Sequence, residues 1–284
     1  MSFLESRIAK EKDYSEIAEL CRRAVGRDDY VLPILRKMIS SGGVFIALDG
    51  RKIVGITNYQ KTIDGGGWMS SARTDPDYRG RRVAGFLQES IASYARKQGV
   101  RFLRLWINKS NNASIKAAVR GGFRPLSEMI HLSRKVDRKS KRDRTLSRFE
   151  NPSASDVYEI LNSNYMKGMN GFFAHYWQLI RASENVIREV ARRGDLYRSN
   201  QGGDVFFIPD EHEKWGGIQH NEFAPLDGPL KRSLKEIHSF APLLGTDSLG
   251  SFLPYNQHHI RVARDLGYLP DAWGDHAVLF EKTI

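Results

Sequence analysis

The stretch that decides the fold is Tyr78-Arg79-Gly80-Arg81-Arg82-Val83-Ala84-Gly85-Phe86-Leu87. It follows a strand-like run that ends at Thr74 and a turn that begins at Asp75, and it leads into a helical pattern that continues to Gly99. A strand, a basic glycine-containing turn and a helix start together point several backbone N–H groups in one direction. The stretch therefore predicts a site for a phosphate or pyrophosphate group.

Length and composition indicate a two-domain protein with sizeable cores. The chain has 284 residues, of which 40% are hydrophobic, and this length corresponds to about two domains. The mean hydropathy is -0.48, and no apolar run is long enough to span a bilayer. Residues 1–7 lack the apolar segment of a signal peptide, and Cys21, the single cysteine, excludes an intrachain disulfide. We therefore expect a cytoplasmic protein without a membrane anchor.

The charge of the chain favours an anionic partner or a solvated basic surface. The formal net charge is +11 and the isoelectric point is near 9.7. Nucleic acid and a phosphorylated cofactor are both anionic partners of the required kind. The sequence has no recognised nucleic-acid-binding motif and no regular stripe of basic and aromatic residues, so nucleic acid is the least supported partner.

Hydrophobic periodicity predicts the order β-α-α-β-β-β-α-β-α-β for the first half of the chain. The segments carrying this pattern are, in chain order, residues 7–10, 13–25, 30–40, 44–48, 53–59, 68–74, 83–98, 102–107, 111–121 and 129–132. Three consecutive antiparallel strands followed by a βαβ crossover imply a mixed central sheet flanked by helices, an α/β (mixed α+β) fold. The fourth and fifth strands are then parallel neighbours.

The second half of the chain repeats the pattern of the first. Asn111, Ile115, Lys116, Ala118, Gly122 and Phe123 align without gaps with Asn256, Ile260, Arg261, Ala263, Gly267 and Tyr268. A diverged internal duplication explains this better than chance similarity, because order and spacing agree. We therefore predict a first domain over residues 1–136, a basic linker over 137–145 and a second domain over 146–284.

The first half resembles the GCN5-related N-acetyltransferase (GNAT) family. The family's acyl-CoA signature, Gln/Arg-x-x-Gly-x-Gly/Ala after a strand, corresponds to Arg79 through Ala84, with Arg82 at the middle glycine position. The later Asn-x-x-Ala/Ser-Ile…Gly-Phe pattern matches Asn111, Ser114, Ile115, Gly122 and Phe123. The resemblance implies a GNAT-like fold in two tandem copies, the second diverged, and acetyl-CoA as cosubstrate.

The resemblance and the physics of the turn together predict the acyl-CoA contacts. N–H groups from residue 81 to residue 85 suit a pyrophosphate, because hydrogen bonds to charged groups contribute roughly 1.5–3 kcal/mol each. A position that requires a positive φ would be unfavourable for Arg82. By resemblance, backbone groups near Ala72, Arg73 and Thr74 hold the pantetheine arm, Asn111 bonds it farther along, and Lys116 and Arg120 are candidates for the 3′-phosphate, with solvated helix charges as the alternative. The predicted cofactor contacts are Ala72, Arg73, Thr74, Arg79, Gly80, Arg81, Arg82, Val83, Ala84, Gly85, Asn111 and Lys116.

Acyl transfer to an amine requires a proton acceptor, because an alkylammonium is only about 0.04% neutral at pH 7. Glu128, at the start of the closing strand, is the best candidate for this base, although it could also be a surface carboxylate. Ser114 is a candidate weak donor to the leaving thiolate. By resemblance, a tyrosine acid would stand where this chain has Ala118, and the second half has Ala263. An acyl-CoA sensor with little catalysis is therefore the alternative to an enzyme.

The second half lacks a counterpart of the basic, glycine-containing turn. Residues 224–230 contain Pro225, Asp227 and Pro229 in place of the Arg-Gly sequence, and proline has no N–H to donate. We therefore predict a degenerate GNAT-like domain that shapes the substrate cleft or mediates dimerisation. No metal site is predicted, because His258 and His259 are adjacent on a helix and point about 100° apart.

Overall fold

The computed structural model describes residues 4–140, 143–210, 213–215, 218–270 and 276–284, with the backbone alone at 213–215. The chain divides into two compact units. Unit 1 comprises Met1–Trp106, Asn111–Pro125 and Phe280–Ile284, and unit 2 comprises Ile107–Ser110 and Leu126–Leu279. Sheets flanked by helices build both units, so the predicted mixed α/β class is confirmed.

Unit 1 has the element order that the periodicity predicts. Its strands are β1 (Leu4–Ile8), β2 (Val44–Asp49), β3 (Lys52–Lys61), β4 (Gly67–Thr74) and β5 (Phe102–Asn108), and its helices are α1 (Tyr14–Ala24), α2 (Val31–Ser40), α3 (Val83–Lys97) and α4 (Asn112–Arg120). The sheet runs in the order β1-β2-β3-β4-β5, and β1 to β4 are antiparallel while β4 and β5 are parallel. The predicted crossover through α3 is therefore present.

The apolar faces of α1 and α2 make one core with strands β2 and β3. Ile17 and Leu35 are fully buried in it together with Ile46 and Ile56. Cys21 is buried in the same cluster, and burial raises the pKa of its thiol to about 12. The thiol of Cys21 therefore stays protonated inside this core.

Strands β4 and β5 separate soon after they pair. Only Gly67 and Trp68 of β4 pair with β5, whereas β4 continues to Thr74. The register of β4 on β3 shifts at Ser71 and Ala72, where one residue of β3 faces two of β4. Such a bulge increases local twist and turns a strand away from its neighbour. Beyond Trp68, β5 therefore no longer pairs with β4.

Unit 2 repeats the topology with one added hairpin. Its strands are β7 (Leu146–Arg148), β8 (Phe172–His175), β9 (Gln178–Arg181), β10 (Leu196–Ser199), β11 (Val205–Phe207), β12 (Glu213–Trp215), β13 (Ile218–Glu222), β14 (Ala224–Pro225), β15 (Ser248–Pro254) and β16 (Leu269–Pro270), together with β6 (Arg124–Lys135) from Leu126 onward and β17 (Ala277–Thr283) up to Leu279. Its helices are α5 (Ala154–Leu161), α6 (Asn164–Gly168), α7 (Glu184–Arg192), α8 (Leu230–Leu244) and α9 (Gln257–Asp265).

The pairing in unit 2 mirrors that in unit 1. One sheet has the order β7-β10-β11-β14, and β13, which directly precedes β14, pairs in parallel with β15. Together β13 and β14 thus correspond to β4, with a break at Phe223, while β15 corresponds to β5. The hairpin β8–β9 has no counterpart in unit 1. This correspondence supports an internal duplication.

The compact units are not continuous in sequence. Strand β6 pairs with β15 along its whole second half and belongs to unit 2 from Leu126 onward, whereas Phe280–Ile284 belong to unit 1. The division into a binding domain and a degenerate domain, with boundaries at residues 136 and 146, stays a prediction. Residues 141–142 of the predicted linker lie outside the described residues. Among the described helices, none combines the length and apolarity that a membrane span requires.

Candidate active site

The basic turn is anchored on its N-terminal side by Asp75. This carboxylate is 2% exposed and accepts hydrogen bonds from Arg23 at 2.9 Å and from the Asp77 amide at 3.0 Å, while the Nζ of Lys52 lies 3.0 Å away. Burial acts to raise the pKa of Asp75, but Lys52 and the Asp77 amide outweigh it, so that the pKa lies below its usual value. Asp75 therefore stays ionised and holds the end of β4 at the start of the turn.

Gly80 and Arg82 both have the left-handed backbone conformation, which sets the path of the turn. Gly80 has φ 79° and Arg82 has φ 64°. Arg82 is the N-cap of α3 and has no side-chain cap. Within the described part of the chain, no group accepts a hydrogen bond from the N–H groups of residues 82–85, whereas the Arg81 amide donates to the Tyr78 carbonyl at 3.2 Å. Four successive donors at a helix start are the arrangement that suits a pyrophosphate.

Space beside the turn is open where phosphates would approach. A Cβ atom added at Gly80 or at Gly85 would meet nothing within 4 Å. Val83, by contrast, is buried, and a Cβ at Gly55 would lie 2.5 Å from its side chain. Gly55 thus lets the first turn of α3 pack on β3 while the other face of that turn stays accessible.

Arg82 has a positive φ, which the sequence predicts to be unfavourable at this position. A left-handed conformation costs a residue with a Cβ roughly 1–2 kcal/mol. We expect Arg82→Gly to raise the free energy of unfolding by about 1 kcal/mol, because the strain is relieved. Urea denaturation measures this, with Arg82→Ala as the matched control that removes the same charge but keeps the strain. Equal stability of the two variants would contradict the argument.

The arginine side chains of the turn have different surroundings. Arg79 donates to the Ala24 carbonyl at 2.7 Å and so ties the turn to the end of α1. The guanidinium of Arg81 lies over the Tyr78 ring at 4.9 Å, and Tyr78 donates to Asp49 at 2.9 Å. Arg81 and Arg82 are both exposed, so their charges are available to an anion.

The predicted arm-binding residues lie at the bulge of β4. Ser71 has φ 57°, and Ala72 and Thr74 follow it on the edge that β5 leaves. Arg73 points its guanidinium back to Asp29, with contacts of 2.8 and 2.6 Å, and the Asp29 side chain is fully buried. The side chain of Arg73 is thus used in the fold, and its predicted role concerns the backbone.

Some of the residues predicted on α4 make structural contacts, and others are exposed to solvent. The Asn111 side chain accepts from the Ser114 amide at 3.1 Å and caps the helix. That bond uses its carbonyl oxygen and leaves its amide group for another partner. Ser114 is half-buried, and Lys116 and Arg120 are exposed. Ala118 is buried in the core, so its position carries no acid.

Glu128, the predicted base, lies in unit 2 with two partners that sequence reasoning did not find. Lys109 donates to its oxygens at 2.9 and 3.0 Å, and the Nε2 of His276 lies 2.7 Å away. The hydrogen bond from Lys109 is the main reason why the pKa of Glu128 lies below its usual value. His276 also stacks on Tyr255, with ring centroids 3.5 Å apart. No sequence signal connects Lys109 with His276, because 167 positions separate them.

The counterpart of the turn in unit 2 lies against a buried carboxylate. Asp204 is 1% exposed and accepts from the Ser233 hydroxyl at 3.0 Å and from Arg232 at 3.1 Å, at the start of α8. A Cβ at Gly228 would lie 2.0 Å from this carboxylate. A buried carboxylate of the protein therefore lies at the start of α8, which the local sequence of residues 224–230 did not reveal.

Comparisons with known proteins agree with this geometry. The sequence profile of the Acetyltransferase (GNAT) family matches residues 12–123. The fold of the chain is similar to that of a protein from Thermoplasma acidophilum assigned as an acetyltransferase, with TM-score 0.64, 15% identity, and 99% of this chain and 100% of that chain covered. It is also similar to a GCN5-related N-acetyltransferase from Sphaerobacter thermophilus, with TM-score 0.58, 12% identity and coverage of 99% and 95%. Among curated proteins, no sequence relative was found.

Residues 12–123 are therefore a GNAT domain, as the sequence resemblance predicted. The likeness of the solved structures extends the shared fold over nearly the whole chain. The GNAT-like fold expected for the first half is thus confirmed, and the diverged second copy stays a prediction with which this architecture is consistent.

Proposed function

We propose that this protein is an N-acetyltransferase that moves an acetyl group from acetyl-CoA to a primary amine. The observation that carries the proposal is the row of four unpaired N–H groups at residues 82–85, beside open space and two exposed arginines. Three or more donors converging on one place match the oxygens of a pyrophosphate. The residues present therefore fit the cosubstrate that the family uses.

The proposed reaction is direct attack of the amine in a ternary complex. Acetyl-CoA supplies an activated thioester: the C–N bond forms, the C–S bond breaks, and the thiolate leaves. The amine loses one proton to a base, and the thiolate gains one from a donor or from water. A thiol pKa near 8.5 makes departure feasible without a strong acid, and this agrees with the buried alanine at position 118. Ser114 is the proposed weak donor.

Glu128 is the proposed proton acceptor, and its partners define a testable pH dependence. We expect Glu128→Gln to lower kcat by about 10²-fold, because glutamine cannot take a proton. In the unaltered protein, activity falls as the pH drops through the lowered pKa of Glu128. Lys109→Met removes the main cause of that lowering, so the acid limb of the kcat/KM profile moves to higher pH.

The control for this prediction is Glu159→Gln, which changes an exposed carboxylate of the same unit. It should leave kcat within about twofold. A loss below threefold in the Glu128→Gln variant would mean that the carboxylate only pairs with Lys109 and His276.

The alternative function is an acyl-CoA sensor with little turnover, which the missing tyrosine acid favours. One experiment separates the two: incubate the protein with acetyl-CoA and a panel of primary amines, and follow the release of free thiol. Release that depends on an amine supports the enzyme. Binding of acetyl-CoA by calorimetry without release on any amine supports the sensor.

The proposal also predicts how many acyl-CoA molecules each chain binds. Unit 2 is proposed to be degenerate in acyl-CoA binding, because Asp204 occupies the start of α8. We therefore expect one acyl-CoA per chain in a calorimetric titration. Two equivalents per chain would show that the second copy still binds.

A further inference from the structure

Three buried side chains with metal-binding atoms meet in unit 2, away from the residues assigned above. His131 lies on β6, and His220 and Glu222 lie on β13. Their ligand atoms all lie within 4.8 Å of one another. The Nε2 atoms of His131 and His220 are 2.8 and 2.7 Å from the same oxygen, Oε1 of Glu222. All three residues are buried, Glu222 at 2% exposure.

Strand register explains why residues 91 positions apart come together. Strand β15 lies between β6 and β13, and Gly250 of β15 pairs with Glu222 on one side and with Ser133 on the other. Residues directly opposite each other, and those two positions away, share one face of a sheet. His131, His220, Glu222 and Gly250 therefore all lie on the same face.

Gly250 provides the space in which the three groups converge. A Cβ atom at this position would lie 2.4 Å from Oε1 of Glu222, 2.6 Å from Nε2 of His220 and 2.7 Å from Nε2 of His131. Any side chain here would displace the ligand atoms. The absence of a side chain at the centre of the three strands is thus a condition for the cluster.

The second carboxylate oxygen of Glu222 is buried, and no described residue offers it a hydrogen bond. Leaving a buried charged group without full compensation is costly. The two hydrogen bonds from the imidazoles both go to Oε1, so they do not compensate the negative charge on Oε2. A cation bound to the carboxylate, through one oxygen or through both, would compensate this charge.

Aromatic rings pack against the two histidines of the cluster. The Trp177 ring lies 4.5 Å from that of His131 and 6.0 Å from that of His220, measured between centroids, and Phe252 lies 4.7 Å from His131. Such a shell excludes bulk water and holds the imidazoles in place, as it does around protein metal sites.

We propose that His131, His220 and Glu222 bind a divalent transition-metal ion of the Zn²⁺ class. Two imidazoles and one carboxylate form a recognised ligand set for Zn²⁺ and for non-haem Fe²⁺. Ligand atoms about 2.0–2.1 Å from a tetrahedral ion are about 3.3 Å apart. The present N···O separations of 2.7 and 2.8 Å therefore need to open by about half an ångström.

The proposal departs from the sequence prediction that there is no metal site. That prediction considered His258 and His259, which are neighbours on a helix, and it could not consider ligands from β6 and β13. The competing interpretation is a metal-free cluster in which both imidazoles donate to Glu222. The two differ in where the ring protons lie, because a metal on Nε2 requires each neutral imidazole to carry its proton on Nδ1.

The test uses the full chain, stripped with a chelator and titrated with Zn²⁺ and with Co²⁺. We expect one equivalent of Zn²⁺ per chain and a visible Co²⁺ spectrum of low coordination number. Glu222→Gln keeps the size of the side chain and should weaken binding at least 100-fold, and Gly250→Ala should do the same by filling the cradle. His258→Ala changes an exposed histidine and should bind like the unaltered protein.

Each outcome decides the question. A Zn²⁺ equivalent that Glu222→Gln and Gly250→Ala both abolish supports the site. Absence of binding to the unaltered chain, or binding that His258→Ala removes and Glu222→Gln does not, overturns it and leaves the hydrogen-bonded cluster. The Co²⁺ spectrum of the unaltered protein needs no variant, so a variant that fails to fold does not affect the test.

Discussion

Gly85→Glu is expected to raise the dissociation constant of acetyl-CoA at least 100-fold without reducing the stability of the protein. A carboxylate at this position stands beside the four N–H donors of residues 82–85 and repels the pyrophosphate, and like charges in contact cost several kcal/mol. The fold should tolerate the change, because a Cβ at Gly85 meets nothing within 4 Å. Glutamate is also a better helix former than glycine. Calorimetric titration measures the affinity, and thermal unfolding measures the stability.

The matched control for this prediction is Ser93→Glu. Ser93 is exposed on the same helix, more than two turns from its start, so the variant adds the same charge away from the donors. It should change the affinity by less than threefold. If Gly85→Glu bound acetyl-CoA as tightly as Ser93→Glu, the turn would not be the pyrophosphate site, and the proposed function would lose its main support.

Arg73→Met is expected to lower the free energy of unfolding by about 3–5 kcal/mol. The variant leaves the carboxylate of Asp29, whose side chain is fully buried, without its partner. Burial acts to lower the pKa of Arg73, but the hydrogen bonds to Asp29 outweigh it and raise the pKa. The effect should appear as a lower midpoint of urea denaturation.

The double variant Asp29→Asn and Arg73→Met separates charge from packing. Asparagine keeps the oxygen that accepts from the Val31 amide at 3.1 Å and removes the buried charge. We expect it to regain most of the stability, because a buried ion pair replaced by neutral groups is often near neutral. If the double variant were as unstable as Arg73→Met, the contact of Arg73 with the Tyr30 ring, 4.9 Å away, would carry the effect instead.

The double variant also bears on function. The backbone at Ala72, Arg73 and Thr74 is proposed to hold the pantetheine arm, and the Arg73 side chain points to Asp29. The double variant should therefore bind acetyl-CoA as the unaltered protein does, because it keeps the bulge in β4 although it lacks the charge at position 73. A stable double variant with lost affinity would assign the guanidinium itself to binding.

The sequence predicted the parts of the site that depend on adjacent residues. Gly80, Arg82 and the start of α3 lie within four positions of one another, and turn chemistry and helix periodicity are local signals. The unfavourable position of Arg82 could be anticipated for the same reason, and the structure places it at φ 64°. The partners of Glu128 could not be anticipated, because Lys109 and His276 approach it only through strand pairing.

By itself, the sequence determined the order of strands and helices, the turn before α3, the repeat of the pattern in the second half and the GNAT domain. Only the tertiary structure decided that Arg73 pairs with Asp29, that Asp204 occupies the start of α8, and that His131 meets Glu222 over Gly250. The physical reason is register. Periodicity shows which face of a strand is buried, but which residues of distant strands lie opposite one another depends on how the strands pair in the folded sheet.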